Sequence, residues 1–175
     1  MVSVARLALV LAPAALSLAG CAMPDRVAPT MPTTAPVPAP VPAAHQTRIL
    51  DGTAAAQLMR NAGVTLQWID WNTRGTAHAR DDGGVIRLTA SQNSSTGPGR
   101  LWLDGTVTEI GADYFIFSGT IRIVDTPDAG RKCEATRTDW RFAVTQSRPY
   151  WRLRTFEWCD GLTDYIDIYK PANPR

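Results

Sequence analysis

The chain of 175 residues has only two histidines, His45 and His78, and three cysteines, Cys21, Cys133 and Cys159. So small a supply of the usual catalytic side chains narrows the chemistry at once. There is no G-x-S-x-G elbow, no H-E-x-x-H pair and no glycine-rich phosphate loop. His78 stands in the polar stretch "RGTAHARDDGG", whose glycines and charges read as a solvated loop, with no serine or thiol placed as its nucleophile. Cys133 and Cys159 have neither CxxC spacing nor a nearby histidine, which argues against zinc, and "DTPDAG" and "DDGG" lack the ligand spacing of a calcium loop. The expectation is therefore no catalytic residue, no metal and no cofactor. An excess of one charge is missing too. With 18 Lys+Arg against 16 Asp+Glu, the formal charge is only +2. A chain so nearly neutral is not a general polyanion binder, and nucleic acid is not an expected partner.

What is present begins at the N-terminus. Arg6 precedes the apolar run "LALVLAPAALSL", Leu7 to Leu18, which is 12 residues long. That suits the core of a secretory signal and is too short to span a bilayer. The run ends in "LAGC", Leu18 to Cys21, which resembles the lipobox of bacterial lipoproteins. The resemblance implies a signal peptide over 1–20, cleavage before Cys21 and lipidation of its thiol. Ala22 after the cysteine then implies the periplasmic face of the outer membrane. The plainer alternative is an ordinary secretory signal followed by an accidental cysteine. Removal of 1–20 takes away Arg6 and no acid, leaving 17 Lys+Arg against 16 Asp+Glu.

With Cys21 lipidated, Cys133 and Cys159 remain as a pair in an oxidising compartment. A bridge between them closes a loop of roughly 27 residues and stabilises by about 3–4 kcal/mol in the chain-entropy model. Two reduced, buried cysteines are the alternative. From Pro24 to Pro42 lie seven of the thirteen prolines. That composition favours extended polyproline II, and at ~3.1 Å per residue some twenty residues of the tether 21–45 make a spacer of about 60 Å.

Residues 46–170 are left as one domain, with 171–175 a short tail. "DGTAAAQLMRNAG" reads as a short helix with Thr53 near its N-cap and Gly63 after its last turn. Beyond it the period becomes two. In "FIFSGTIRI", Phe115, Phe117, Gly119, Ile121 and Ile123 share one face. Val64, Leu66 and Trp68 group likewise, as do Trp140, Phe142 and Val144, and Trp151 with Leu153. Turn signals separate the runs. The fold expected is mainly β: six or seven antiparallel strands in a meander that curls into a small barrel or half-barrel, with one short N-terminal helix. Gly119 fits a bend or bulge at a barrel corner.

"GVTLQWIDW", "DYFIFSGTIRI" and "YWRL…CDGLTDYIDIY" together resemble an uncharacterised family of small exported proteobacterial proteins, over about Thr53 to Tyr169. The resemblance implies a compartment and a domain boundary, and carries no catalytic residues.

Between Arg131 and Arg154 lie seven basic residues (Arg131, Lys132, Arg137, Arg141, Arg148, Arg152 and Arg154) and two acids, Glu134 and Asp139. A hairpin turning at "QSRP" pairs Phe142 with Leu153, so the apolar faces agree. The same register sets Arg141 opposite Arg154, a destabilising arrangement unless an anion lies between them. The internal answer is a ladder of arginines with Asp164 and Asp167 on a solvent-facing last strand. The external answer is a site built from Arg137, Arg141, Arg152 and Arg154 for a lipid A phosphate, a phospholipid headgroup or a peptidoglycan carboxylate. As a catalytic carboxylate pair, Asp164 and Asp167 fail, because three residues apart on a strand they face opposite ways. The function expected is a non-enzymatic envelope module of binding or structural type, held to the membrane by a lipid anchor. A lipocalin-like carrier, or a hydrolase inhibitor plugging with "TASQNSSTGPGR", are the alternatives. The sequence sets no oligomeric state.

Overall fold

The computed structural model describes residues 46–172. The leader, Cys21, His45, the proline-rich tether and residues 173–175 lie outside the described residues. Within them the chain runs β1 (Arg48–Ile49), α1 (Gly52–Met59), β2 (Val64–Leu66), β3 (Thr76–Asp82), β4 (Val85–Asn93), β5 (Arg100–Ile110), β6 (Tyr114–Val124), β7 (Lys132–Ala143), β8 (Tyr150–Leu153) and β9 (Ile166–Tyr169). The neighbours run β2-β9-β8-β7-β6-β5-β4-β3, all antiparallel, while β1 adds to β5 in parallel. The two ends of this path meet where Val64 bridges Gly75. The result is a nearly closed barrel with one short helix.

Nine strands form where six or seven were expected. The clearest miss is β3, "TAHARDD", read as a solvated loop. It pairs with β4 through seven residues, from Thr76↔Ser91 to Asp82↔Val85. Most of its side chains are exposed, as a strand at the rim of a sheet allows, so no apolar alternation announces it. His78 points out from it, exposed. The helix begins two residues earlier than expected. Its N-cap is Asp51, not Thr53, and the Asp51 carboxylate accepts from Ala54 N–H at 2.7 Å. Ala54, Ala55 and Leu58 are its buried face.

The inward positions follow the period of two: Ile86, Leu88 and Ala90 on β4, Leu101, Leu103 and Val107 on β5, Phe115, Phe117, Ile121 and Ile123 on β6, all buried. Phe115 stacks on Phe142 with centroids 4.8 Å apart and meets Trp151 edge-on at 5.8 Å. These rings, with Trp140, fill the interior. Gly119 sits at the bend expected of it. It faces Gly105 across β5–β6, and a β-carbon there would come within 2.3 Å of the Asp104 carbonyl and 2.7 Å of the Phe117 ring. Only bare backbone leaves that ring its place.

Closure depends on polar side chains as well. Gln92, buried on β4, accepts from Leu66 N–H at 2.6 Å and donates to the Asp70 and Thr73 carbonyls at 2.9 and 2.8 Å. Thr47 accepts from Ile86 N–H at 2.7 Å and donates to the Val107 carbonyl at 2.6 Å, joining β4 to β5 at the point where the chain enters. All the core residues lie between Ala54 and Ile168, within a single compact unit, so the head closes its own core.

Candidate anion-binding surface

The arginine-bearing strands pair in the register that the apolar faces dictate, with Phe142 opposite Leu153. One step further, Arg154 N–H donates to the Arg141 carbonyl at 2.8 Å. The two arginines therefore face each other on the outside, both exposed. Arg141 lies 4.0 Å over the Tyr114 ring and Arg154 4.8 Å over Phe156. Neither has an ion pair with a described carboxylate. Glu109 is nearest in effect to Arg141, but it is already bonded by the Tyr114 hydroxyl and by Arg48. Those hydrogen bonds, Tyr114 first, hold its carboxyl below the usual range.

The other two arginines leave this pair. Arg137 precedes a bulge in β7, where Thr138 and Asp139 share the space opposite Ser118. The extra residue puts Arg137 out of step with Arg141. Arg137 bonds its neighbour Asp139 at 3.1 Å and lies over Trp140. Arg152 shares the outer face but is covered. Its Nε and Nη2 each donate to Asp167 at 2.7 Å, and Tyr165, Tyr150 and Trp71 surround the guanidinium at 4.2, 5.1 and 5.4 Å. The expected solvent-facing ladder is thus a buried pair, since Asp167 is wholly out of water. Burial raises the Asp167 carboxyl above its ordinary value, and Arg152 offsets this only in part. The outermost part of the cover is Trp71, from the β2–β3 connection, which no pattern in β8 or β9 foretells.

Asp164 has a different partner again. The guanidinium of Arg131 donates to Asp160 at 2.7 and 2.8 Å, to Asp164 at 3.0 and 3.0 Å and to the Thr126 carbonyl at 3.1 Å. All five of its N–H groups are used. Trp68 Nε1 donates to Asp164 at 3.0 Å, and Thr126 ties back to the Trp68 carbonyl at 2.8 Å. Beside this network Cys133 and Cys159 are bonded, with Cα atoms 5.7 Å apart. Asp160 also approaches the Cys133 sulfur, at 3.6 Å. A disulfide sulfur has no proton to give, so this is contact only, and bonded sulfurs are not thiolate ligands for a metal. The Arg131 hydrogen bonds bring the Asp160 carboxyl down to about 2. A network this fully satisfied is a strut. Nothing in it remains to bind a ligand.

Of the four arginines expected to form a site, then, the fold brings two together, Arg141 and Arg154. Arg74 and Lys170 formed no part of that expectation. They line an opening with Arg148 at the end of the barrel nearest the β7–β8 turn.

A family model, the PM1083 family, matches residues 46–170. The chain is 34% identical over 106 residues to the uncharacterized protein PM1083 of Pasteurella multocida, a stretch covering 59% of this chain and 67% of that one. No solved structure matches.

Proposed function

The chain belongs to the PM1083 family, and from that premise we propose a non-enzymatic module of the cell envelope, lipid-anchored through Cys21 at the outer membrane. Its head binds an anionic envelope component on the outside of the barrel. The observation that carries the binding reading is the pair Arg141 and Arg154, directly opposed and with no described ion-pair partner. Like charges so placed repel unless an anion lies between them. A lipid A phosphate, a phospholipid headgroup or a peptidoglycan carboxylate each fits the fork of two guanidiniums. The aromatic filling of the interior weighs against a lipocalin-like carrier. In the loop after β4, Ser94 N–H bonds the Gly99 carbonyl at 2.8 Å, which makes it an ordinary hairpin end and gives the inhibitor reading no support.

Two measurements test the proposal. In fractionated cells, wild type goes with the outer membrane and Cys21→Ser goes with the soluble periplasm; if both fractionate alike, the anchor is not Cys21. In thermal melts of residues 46–175, lipid A or muropeptides raise the midpoint of wild type by several degrees at saturation and leave Arg141→Gln/Arg154→Gln unmoved. A wild type that no anionic component stabilises removes this face as a site.

A further inference from the structure

The end of the barrel at the β7–β8 turn holds a second concentration of positive charge. Arg74 comes from the β2–β3 connection, Arg148 from the turn and Lys170 from just beyond β9. Together with Ser147 and Pro149 they line one opening of about 500 Å³. Strand pairing brings two of them there. Tyr150 pairs with Tyr169, and Lys170 N–H donates to the Pro149 carbonyl at 2.9 Å. Arg148 and Lys170 are thereby fixed at the same end of neighbouring strands. The Val64–Gly75 bridge that closes the barrel delivers the third, Arg74, at the adjacent position.

Each cation rests on an aromatic ring and has no described ion-pair partner. Arg74 lies 3.9 Å over Tyr169, Lys170 4.9 Å over Trp151 and Arg148 5.9 Å over Tyr150. Rings hold a cation in position without cancelling its charge. Asp167, whose field reaches Arg148, is buried and takes two hydrogen bonds from Arg152. Among the described residues no carboxylate lines the opening.

We propose that this opening is a binding site for a phosphate ester. Three cations ask for more than one negative charge, which a single carboxylate does not supply. A phosphomonoester carries about −1.5 to −2 at neutral pH and offers three strong acceptor oxygens. Two guanidinium forks and one ammonium point charge are the donors that such a group takes, and the Ser147 hydroxyl adds another. The volume lies within the range of small-ligand sites, with Pro149 and Pro171 giving apolar wall, so the phosphate arrives on a small polyol or sugar. That body is either soluble or the headgroup of a lipid. The site shares no residue with the Arg141–Arg154 pair and does not depend on the Cys21 anchor.

The test titrates glycerol phosphate, with glycerol as control, into isotope-labelled residues 46–175 and follows the amide resonances. Saturable shifts are expected at Ser147, Arg148 and Lys170 with glycerol phosphate and none with glycerol. Arg148→Gln/Lys170→Gln weakens binding by about tenfold for each cation removed, while Arg141→Gln/Arg154→Gln leaves it unchanged. If that double variant does not fold, Arg74→Gln, at an exposed side chain, must show the loss alone. Tighter binding to vesicles of phosphatidylcholine with phosphatidic acid, the lipid that carries the same monoester, than to soluble glycerol phosphate assigns the ester to a lipid; equal or weaker binding assigns it to a soluble molecule. The proposal is overturned if no saturable shift occurs at these residues, or if shifts survive the loss of the cations. If only the Arg141→Gln/Arg154→Gln variant loses binding, the outer face is the site and this opening is not.

Discussion

Asp164→Ala will destabilise the head by about 3–5 kcal/mol, measured as a lower denaturant midpoint at unchanged slope. Asp164 has no exposed surface and the Arg131 side chain is 6% exposed, so the lost carboxylate leaves two guanidinium N–H groups without an acceptor in a nearly dry place, with only the partly exposed Asp160 left to balance the charge. Trp68 Nε1 loses its acceptor in the same step. Domains of this kind are stable by roughly 5–15 kcal/mol, so the loss is a large share of the whole. The companion variant separates charge from packing. Arg131→Met/Asp164→Leu removes both members and should recover most of the stability, because a buried pair replaced by apolar side chains is often neutral. If Asp164→Ala alone loses under about 1 kcal/mol, Arg131 is not committed to this network. Acid gives a further readout through Asp160. Its folded value of about 2 lies below the ordinary 3.8, so the stability it contributes is whole above about pH 4 and is lost as pH falls through 2. Asp160→Asn should flatten that limb. Asp167 acts with the opposite sign. Its value is raised, so its contribution is whole below the unfolded value of 3.8 and is lost as pH rises through its folded value.

Cys133→Ala/Cys159→Ala will cost about 3–4 kcal/mol, and reductant should bring the wild type to nearly the same midpoint. The bridged cysteines are 26 positions apart in sequence, and between them lie all of β8 and the β7–β8 turn. It also fixes the segment that carries Asp160. The loss should therefore not add simply to that of Asp160→Asn, and a double-mutant cycle reads the coupling between bridge and ion network. An unchanged midpoint in the cysteine variant would mean that the Arg131 network alone holds the segment in place.

The closing sheet was the most legible part of the sequence. Apolar positions in β7 and β8 agree in only one register, and the charged positions follow automatically, which is why Arg141 and Arg154 oppose each other as expected. Three features escaped for physical reasons. A strand at the rim needs no buried face, so "TAHARDD" carried no alternation to read. A one-residue bulge reverses the facing of everything before it, and nothing in "RTDW" marks it; Arg137 was misplaced for that reason. Trp71 covers Arg152 from a segment distant in sequence, and cover of that kind leaves no trace in the strand beneath. The Arg131 network was nearer to hand. Arg131 is two residues before Cys133 and Asp160 is one after Cys159, so accepting the bridge already brings the pair within reach. Arg148 and Lys170 were similarly implicit in the pairing of β8 with β9, whereas Arg74 reaches them only through barrel closure.

That closure has a consequence for how the molecule comes into being. The strand with which the barrel begins, β2, has as its sheet neighbour the strand with which it ends, β9, through Val64↔Ile168 and Leu66↔Ile166. The hairpins from β3 to β7 join strands next to each other in the chain and can form as soon as each pair is complete. Val64 has a nearby bridge to Gly75, but the other edge of β2 finds its strand only in β9 and must wait for nearly the entire head to be made. The N-terminus emerges first, so β2 keeps an unclaimed apolar edge for longest. The last residues out complete the first strand's sheet, and a chain cut short anywhere before Ile166 leaves that edge bare.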